Sequence, residues 1–294
     1  MSTLADIELR EGYAELSEAR LHYVEAGPSS GPAVVLLHGF PDFWYSWRHQ
    51  IPALAASGFR AIAPDMRGYN LSSKPAGISA YSASRLAADI RDLIRERGCE
   101  RARVAGHDWG AAVAWVLAMR HPEVLERLAI LNVPHPRRML GALRRPSRQL
   151  LRSWYIFFFQ LPWLPEQAVA AGDWYMLRYS FEHDARPGAF TPADIDRYRE
   201  AWSQPGAVEA MLGYYRASVR RPPSGGGGRF TPIQTPTLVI WGERDRALGV
   251  ELAEPDRDDV PGLTRVVRLP EASHWVQHDE PDRVSELLID HFKA

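Results

Sequence analysis

Four short runs of the 294-residue chain are apolar almost from end to end: AVVLLH at 33–38, ARVAG at 102–106, LAILN at 128–132 and TLVIWG at 237–242. A strand with one wet face alternates apolar and polar side chains, whereas a run that is apolar throughout must be covered on both faces. That requirement points to a mostly parallel sheet lying between helices. Residues 84–98, SRLAADIRDLIRERG, supply one such helix: Leu86, Ile90, Leu93 and Ile94 fall on one face, and Gly98 marks the end. Strands alternating with helices make a doubly wound α/β core the expected fold class. The 46% hydrophobic content is ample for such a core.

The β-like runs stop between about Pro134 and Gly228, where aromatic residues and helical spacings take over; they resume at Thr237. A helical segment inserted into the core accounts for this, dividing the chain into core 1–133, helical cap 134–228 and core 229–294. SGGGG at 224–228 reads as a hinge. The most apolar stretch, WYIFFFQLPWLP at 154–165, is interrupted by Pro162 and Pro165 and is too short to span a bilayer, which takes about 20 residues. It is expected as a buried surface or pocket wall, with Arg144, Arg145 and Arg148 before it as a solvated face.

A net charge of −1 leaves no chain-wide basic footprint for nucleic acid or an anionic membrane, and neither is expected as a partner. Cys99 is the only cysteine, which excludes an intrachain disulfide and any four-thiol metal site. With acidic residues where a signal peptide would need a basic start, a cytoplasmic location is expected.

Chemistry concentrates around VAGHDWGAA at 104–112. Strand, sharp turn and helix form the setting of a nucleophile elbow, and Asp108 stands where a serine hydrolase places its serine. Gly106 and Gly110 let the flanking backbone pass closely. A helix N-cap is the competing reading of the same aspartate. Two later segments favour the nucleophile. GERD places Asp245 just beyond TLVIWG, and EASHW places His274 beyond the strand-like RVVRLP, so nucleophile, acid and base follow the chain order of a hydrolase triad. His107 and His278 have no such place and are expected to be structural. In HGFPDFWYSW at 38–47, Gly39 lets the Phe40 amide face the elbow, and with the Trp109 amide it can form an oxyanion hole. The same residues also read as a tight turn, with a cis bond before Pro41.

Taken together, HGFPDFWYSWRHQIPAL, APDMRGYNLSSKP, GHDWG, GERD and ASHW resemble the epoxide hydrolases of the α/β-hydrolase fold over almost the whole chain. The resemblance implies Asp108 as nucleophile, His274 as base, Asp245 as triad acid, and Phe40 with Trp109 as the oxyanion hole. WYIFFFQLPWLPE and MLGYYR resemble the family's two cap-tyrosine motifs and imply Tyr155 and Tyr215 as ring-opening acids. Gly213 and Tyr214 stand where Asn and Trp are usual in the second motif, which makes Tyr214 a rival of Tyr215. The pocket is expected to be apolar, with Phe40, Trp109, Phe157, Phe158, Trp163 and Trp174 in its wall. Substrate and water are the expected partners, without metal or cofactor, and an apolar cap surface leaves a homodimer open.

The expected reaction adds water to an epoxide, giving a vicinal diol through an alkyl ester on Asp108. Two rivals remain. Haloalkane dehalogenases share the Asp-Trp-Gly elbow, and Trp109 suits a halide, but Phe40 has no side-chain donor. Asn132 sits where some of those enzymes keep their acid. A ligand-binding protein on the same scaffold is the other rival.

Overall fold

A computed structural model describes residues 3–220, 222 and 230–294; the hinge expected at 224–228 lies outside the described residues. Eight strands form one sheet: β1 (Arg10–Glu15), β2 (Arg20–Ala26), β3 (Ala33–Leu37), β4 (Arg60–Pro64), β5 (Ala102–His107), β6 (Leu125–Leu131), β7 (Thr237–Gly242) and β8 (Leu263–Leu269). Their spatial order is β1-β2-β4-β3-β5-β6-β7-β8, parallel from β4 to β8, with β1 and β2 antiparallel at one edge. The four apolar runs supply β3, β5, β6 and β7. β3 and β7 are buried at every residue, as strands covered on both faces must be.

The first two strands carry no apolar run. β1 alternates in burial and lies at the edge, where one side of the strand stays in water.

The helices of the core are α1 (Gln50–Ala56), α2 (Ala83–Glu96) and α3 (Trp109–Arg120). Six more lie between β6 and β7: α4 (Pro136–Leu143), α5 (Arg148–Arg152), α6 (Trp154–Phe158), α7 (Leu164–Tyr179), α8 (Pro192–Trp202) and α9 (Ala207–Arg220). The chain ends with α10 (Val276–Asp279) and α11 (Pro281–Lys293). α2 packs along α3 and α1 along α11, so helices flank the sheet.

The chain runs from β3 to β4 on one side and later places β5 on the other. Open α/β sheets form a crevice at such a reversal, beyond the carboxyl ends of the strands. The loops after β3 and β5 meet there, and α4–α9 reach over them. The Tyr214 hydroxyl donates to the Arg67 carbonyl at 2.6 Å, the Trp202 indole to the Pro41 carbonyl at 2.6 Å and the Arg48 guanidinium to the Ala189 carbonyl at 2.7 Å.

Candidate active site

Asp108 joins β5 to α3 with φ 49° and ψ −124°, a conformation that costs a non-glycine residue energy and is held here by its surroundings. Its side chain makes no capping bond to α3. Instead Oδ1 accepts the Phe40 N–H at 2.7 Å across the crevice. Such closeness requires glycines. A Cβ on Gly39 would lie 2.4 Å from Asp108 Oδ1, and one on Gly110 would lie 2.2 Å from the Leu37 carbonyl oxygen. The Trp109 amide opens α3, where N–H groups have no intrahelical acceptor, and its nitrogen lies against the same loop, 2.6 Å from where a Cβ on Gly39 would sit.

The Phe40–Pro41 peptide is cis. The loop is braced from behind by His38, whose Nδ1 meets the Gly39 carbonyl at 3.0 Å and whose Nε2 accepts the Met66 N–H at 2.9 Å. Burial pushes the His38 pKa down to about 4, so the ring is neutral and can do both.

His274, in the loop between β8 and α10, places Nε2 3.5 Å from Asp108 Oδ2, and its Nδ1–H donates to Asp245 Oδ2 at 2.7 Å. Asp245 sits beyond β7 and is fully engaged: Oδ1 accepts the N–H groups of Ala247 and Leu248 at 2.7 and 2.8 Å, and Oδ2 accepts the Asn132 amide at 2.8 Å. Asn132 in turn accepts the Gly242 N–H at 2.8 Å. It therefore orients the Asp245 carboxylate, a partnership across more than a hundred residues of chain.

Burial works against a charge on His274, but Asp245 and Asp108 outweigh it and hold the pKa well above the ordinary imidazole value. Burial likewise raises Asp108, yet the hydrogen bond and charge of His274, with help from His107 and the Phe40 N–H, bring its pKa below the usual carboxylate value. In the resting site the two form an ion pair.

His107 Nε2 donates to the His274 carbonyl at 2.8 Å, and burial drives its pKa down to about 3. His278 accepts from Arg48 at 2.7 Å. Both lie in the frame behind the site.

A cavity of about 250 Å³ opens in front of Asp108. Among the described residues, Asp108, Trp109, Tyr155, Tyr215 and Ser218 bring polar groups to its lining, and Val133, Pro134, Met139, Leu140, Leu143, Ile156 and Leu248 are among the apolar lining. Tyr155 on α6 and Tyr215 on α9 have ring centroids 5.8 Å apart, and Tyr215 stands 5.0 Å from the Trp109 ring. Burial raises both phenol pKa values, and the Asp108 charge adds to it, so both remain protonated donors. Tyr214 points the other way, buried between Tyr69 and Tyr81 with its hydroxyl on the Arg67 carbonyl.

The aromatic wall differs from expectation. Of the six residues, Trp109 lines the cavity. The Phe40 ring lies behind Tyr215, at 5.4 Å. Phe157 and Trp163 face outward, and Phe158 packs on Phe159 and Trp154. Trp174 belongs to a break in α7 where residues 172–174 adopt left-handed φ values, turning its ring toward Trp202. WYIFFFQLPWLP is thus no buried wall: Tyr155 and Ile156 face the cavity, while Trp154, Phe157, Leu161, Trp163 and Leu164 are exposed. The residues after β6 and on α4 replace the missing aromatics. Val133 and Pro134, directly beyond a strand's carboxyl end, carried the one readable signal of this.

Residues 32–281 match the α/β-hydrolase fold family. The chain is 44% identical to the AB hydrolase superfamily protein YfhM of Bacillus subtilis, over 93% of this chain and 94% of that one. It is 38% identical to human epoxide hydrolase 4, over 92% of this chain and 75% of that one. Among solved structures, the Bacillus megaterium epoxide hydrolase in complex with an inhibitor superposes with a TM-score of 0.86 at 32% identity, covering 96% of this chain and 100% of that one.

Proposed function

Because the chain belongs to the epoxide hydrolases of the α/β-hydrolase fold, we propose that it converts an epoxide and water into a vicinal diol through an alkyl ester on Asp108. The observation that carries the mechanism is a carboxylate and two phenols lining one apolar cavity, the carboxyl pKa held down and both phenol pKa values pushed up. A carboxylate displaces at saturated carbon. The alkoxide released is too basic to leave unaided, and Tyr155 and Tyr215 can hold the epoxide oxygen and protonate it as the ring opens.

Ester formation removes the charge of Asp108, and with it part of what raised the His274 pKa. The imidazolium then gives up its proton, balancing the one lost by the phenol, and the neutral ring takes a proton from water. That water attacks the carbonyl carbon of the Asp108 ester; the bond from that carbon to the substrate oxygen then breaks, the proton of the new carboxyl group passes to that oxygen, and the diol leaves with the Asp108 carboxylate and the imidazolium restored. The developing oxyanion meets the Phe40 and Trp109 amides, so the hole serves the enzyme's own ester.

A halide as leaving group is less well served. The Phe40 side chain offers no donor, and the Asn132 amide is committed to Asp245. Nor does Arg or Lys line the cavity among the described residues, as a carboxylate-bearing halide would need.

A single turnover in heavy-oxygen water tests the covalent step. The label should enter Asp108, read by mass spectrometry of its peptide, while the first diol released carries none. Label in the diol and an unlabelled Asp108 would show direct attack by water and reject the ester.

A further inference from the structure

Six of the eleven exposed large hydrophobic residues among the described residues lie between Leu151 and Leu164. Leu151 is 76% exposed, Trp154 60% and Trp163 70%, values far from those of a packed helix edge. Leu151, Trp154, Phe157 and Leu161 recur every three or four residues along α5, α6 and the following turn, which keeps them on one outer edge.

The charge of the same stretch is one-sided. Residues 135–165 contain six arginines and no aspartate, glutamate or lysine, in a chain whose net charge is −1. Arg144, Arg145, Arg148 and Arg152 are exposed. None of these four has an ion-pair partner among the described residues. The bordering carboxylates are already paired, Glu166 with Arg216 at 2.6 Å and Asp259 with Arg137 at 2.8 Å.

We propose that this edge, from Arg144 to Leu164, docks reversibly on the surface of an anionic phospholipid bilayer. Exposed Trp, Phe and Leu beside unpaired arginines are the combination that settles into the headgroup region, the rings at the acyl boundary and the guanidinium groups on phosphates. No helix of the described residues is long and apolar enough to cross a membrane, so the association is one of surface and not of span. A second copy of the chain fits the face poorly, because two-fold pairing would set its arginines against their own copies.

The edge also adjoins the cavity. α6 exposes Trp154 and Phe157 to solvent and gives Tyr155 and Ile156 to the cavity lining. A lipophilic epoxide dissolved in the bilayer would thus reach the cavity beside the docked edge, the one consequence that rests on the proposed activity.

Flotation with vesicles of phosphatidylcholine, with and without about 30 mol % phosphatidylglycerol, reads the docking without any substrate. The protein should float with the anionic vesicles at low salt, with a blue shift of tryptophan emission, and should be released as salt is raised. Arg148→Ser combined with Arg152→Ser should lower the partition about 25-fold, at about fivefold per arginine, with the thermal midpoint unmoved. Trp154→Ser should lower it as well and reduce the blue shift. Absence of binding, or equal binding to both kinds of vesicle, would overturn the proposal. So would a concentration-dependent dimer that Trp154→Ser dissolves, since a second copy would then cover the face. The double arginine variant should also slow hydrolysis of a vesicle-borne epoxide and leave that of a water-soluble one unchanged. Failure of every epoxide to react would reject the chemistry and leave the docking result standing.

Discussion

At the scale of single residues, the site depends on one charge held in place by several groups. Asp245 and Asp108 both raise the pKa of His274, and of the two it is the Asp108 contribution that the proposed ester removes. Asp108→Asn removes the charge and keeps the shape, as the ester does. The variant should show the His274 imidazole titrating at lower pH than in the parent, readable by NMR; an unchanged titration would mean that Asp245 alone sets the base. The same reasoning gives the pH dependence. The depressed pKa of Asp108 keeps it ionised as pH falls, so alkylation should persist in mild acid. Ester hydrolysis needs neutral His274 and should fail first, with alkyl-enzyme accumulating on the acid side. His274→Gln should trap the ester at every pH, and full turnover in that variant would remove His274 from the role of base. These residues were legible in the sequence because an elbow, a loop after a strand and a short triad motif are each contiguous. In the sequence Asn132 reads only as standing where some dehalogenases keep their acid. Its bond to Asp245 spans distant segments, and nothing local to LAILN shows it.

At the scale of elements, α9 decides between two adjacent tyrosines. One helical step rotates Tyr214 onto the Arg67 carbonyl and Tyr215 into the cavity, so the helix phase separates an anchor from the proposed acid. Gly213 permits this phase, since a Cβ there would come within 2.7 Å of the Tyr81 ring. Gly213→Ala should lower stability by about 1–2 kcal/mol despite the better helix propensity of alanine. Tyr215→Phe should slow alkylation about 10- to 100-fold, and Tyr155→Phe similarly, in single-turnover measurements. Tyr214→Phe should instead leave the Arg67 carbonyl without its donor and cost about 1 kcal/mol, a fall in thermal midpoint of roughly 1–2 °C with alkylation preserved. Loss of alkylation in Tyr214→Phe would exchange the two roles. The doubly covered strands were readable because every residue of a buried run is apolar, whichever way it points. The pocket wall was not, because α5 and α6 have five residues each and no periodicity long enough to tell a cavity face from a wet one. An aromatic run there reads the same whether it lines a pocket or faces solvent.

At the scale of the whole molecule, the helices between β6 and β7 are fastened to the very loop that carries the proposed oxyanion hole. Trp202 donates to the Pro41 carbonyl, Tyr45 donates to Asp194 at 2.8 Å, and Arg48 reaches the Ala189 carbonyl, all from or to the segment that follows β3. The Phe40 amide is one residue from the Trp202 anchor. The position of the helices and the aim of that amide are therefore mechanically linked, and a change remote from the reacting atoms should appear in the second chemical step. Trp202 is buried, stacked on Phe181 and packed on Tyr198, so Trp202→Phe keeps most of the aromatic contact and deletes the indole donor. The cost should be about 1–3 kcal/mol, from the orphaned carbonyl and the lost ring volume. Loss of an oxyanion donor slows a reaction about 100- to 1000-fold; misaiming one should cost less, about 10-fold. Decay of the Asp108 ester should slow by that factor in Trp202→Phe, while its formation, which develops no oxyanion but does use the Phe40 N–H to hold Asp108, should slow less. Rapid-quench measurement of the two phases separates these outcomes. Equal slowing of both would mean that Trp202 supports the site only through general stability, and no slowing of either would mean that the loop holds its aim without the helices.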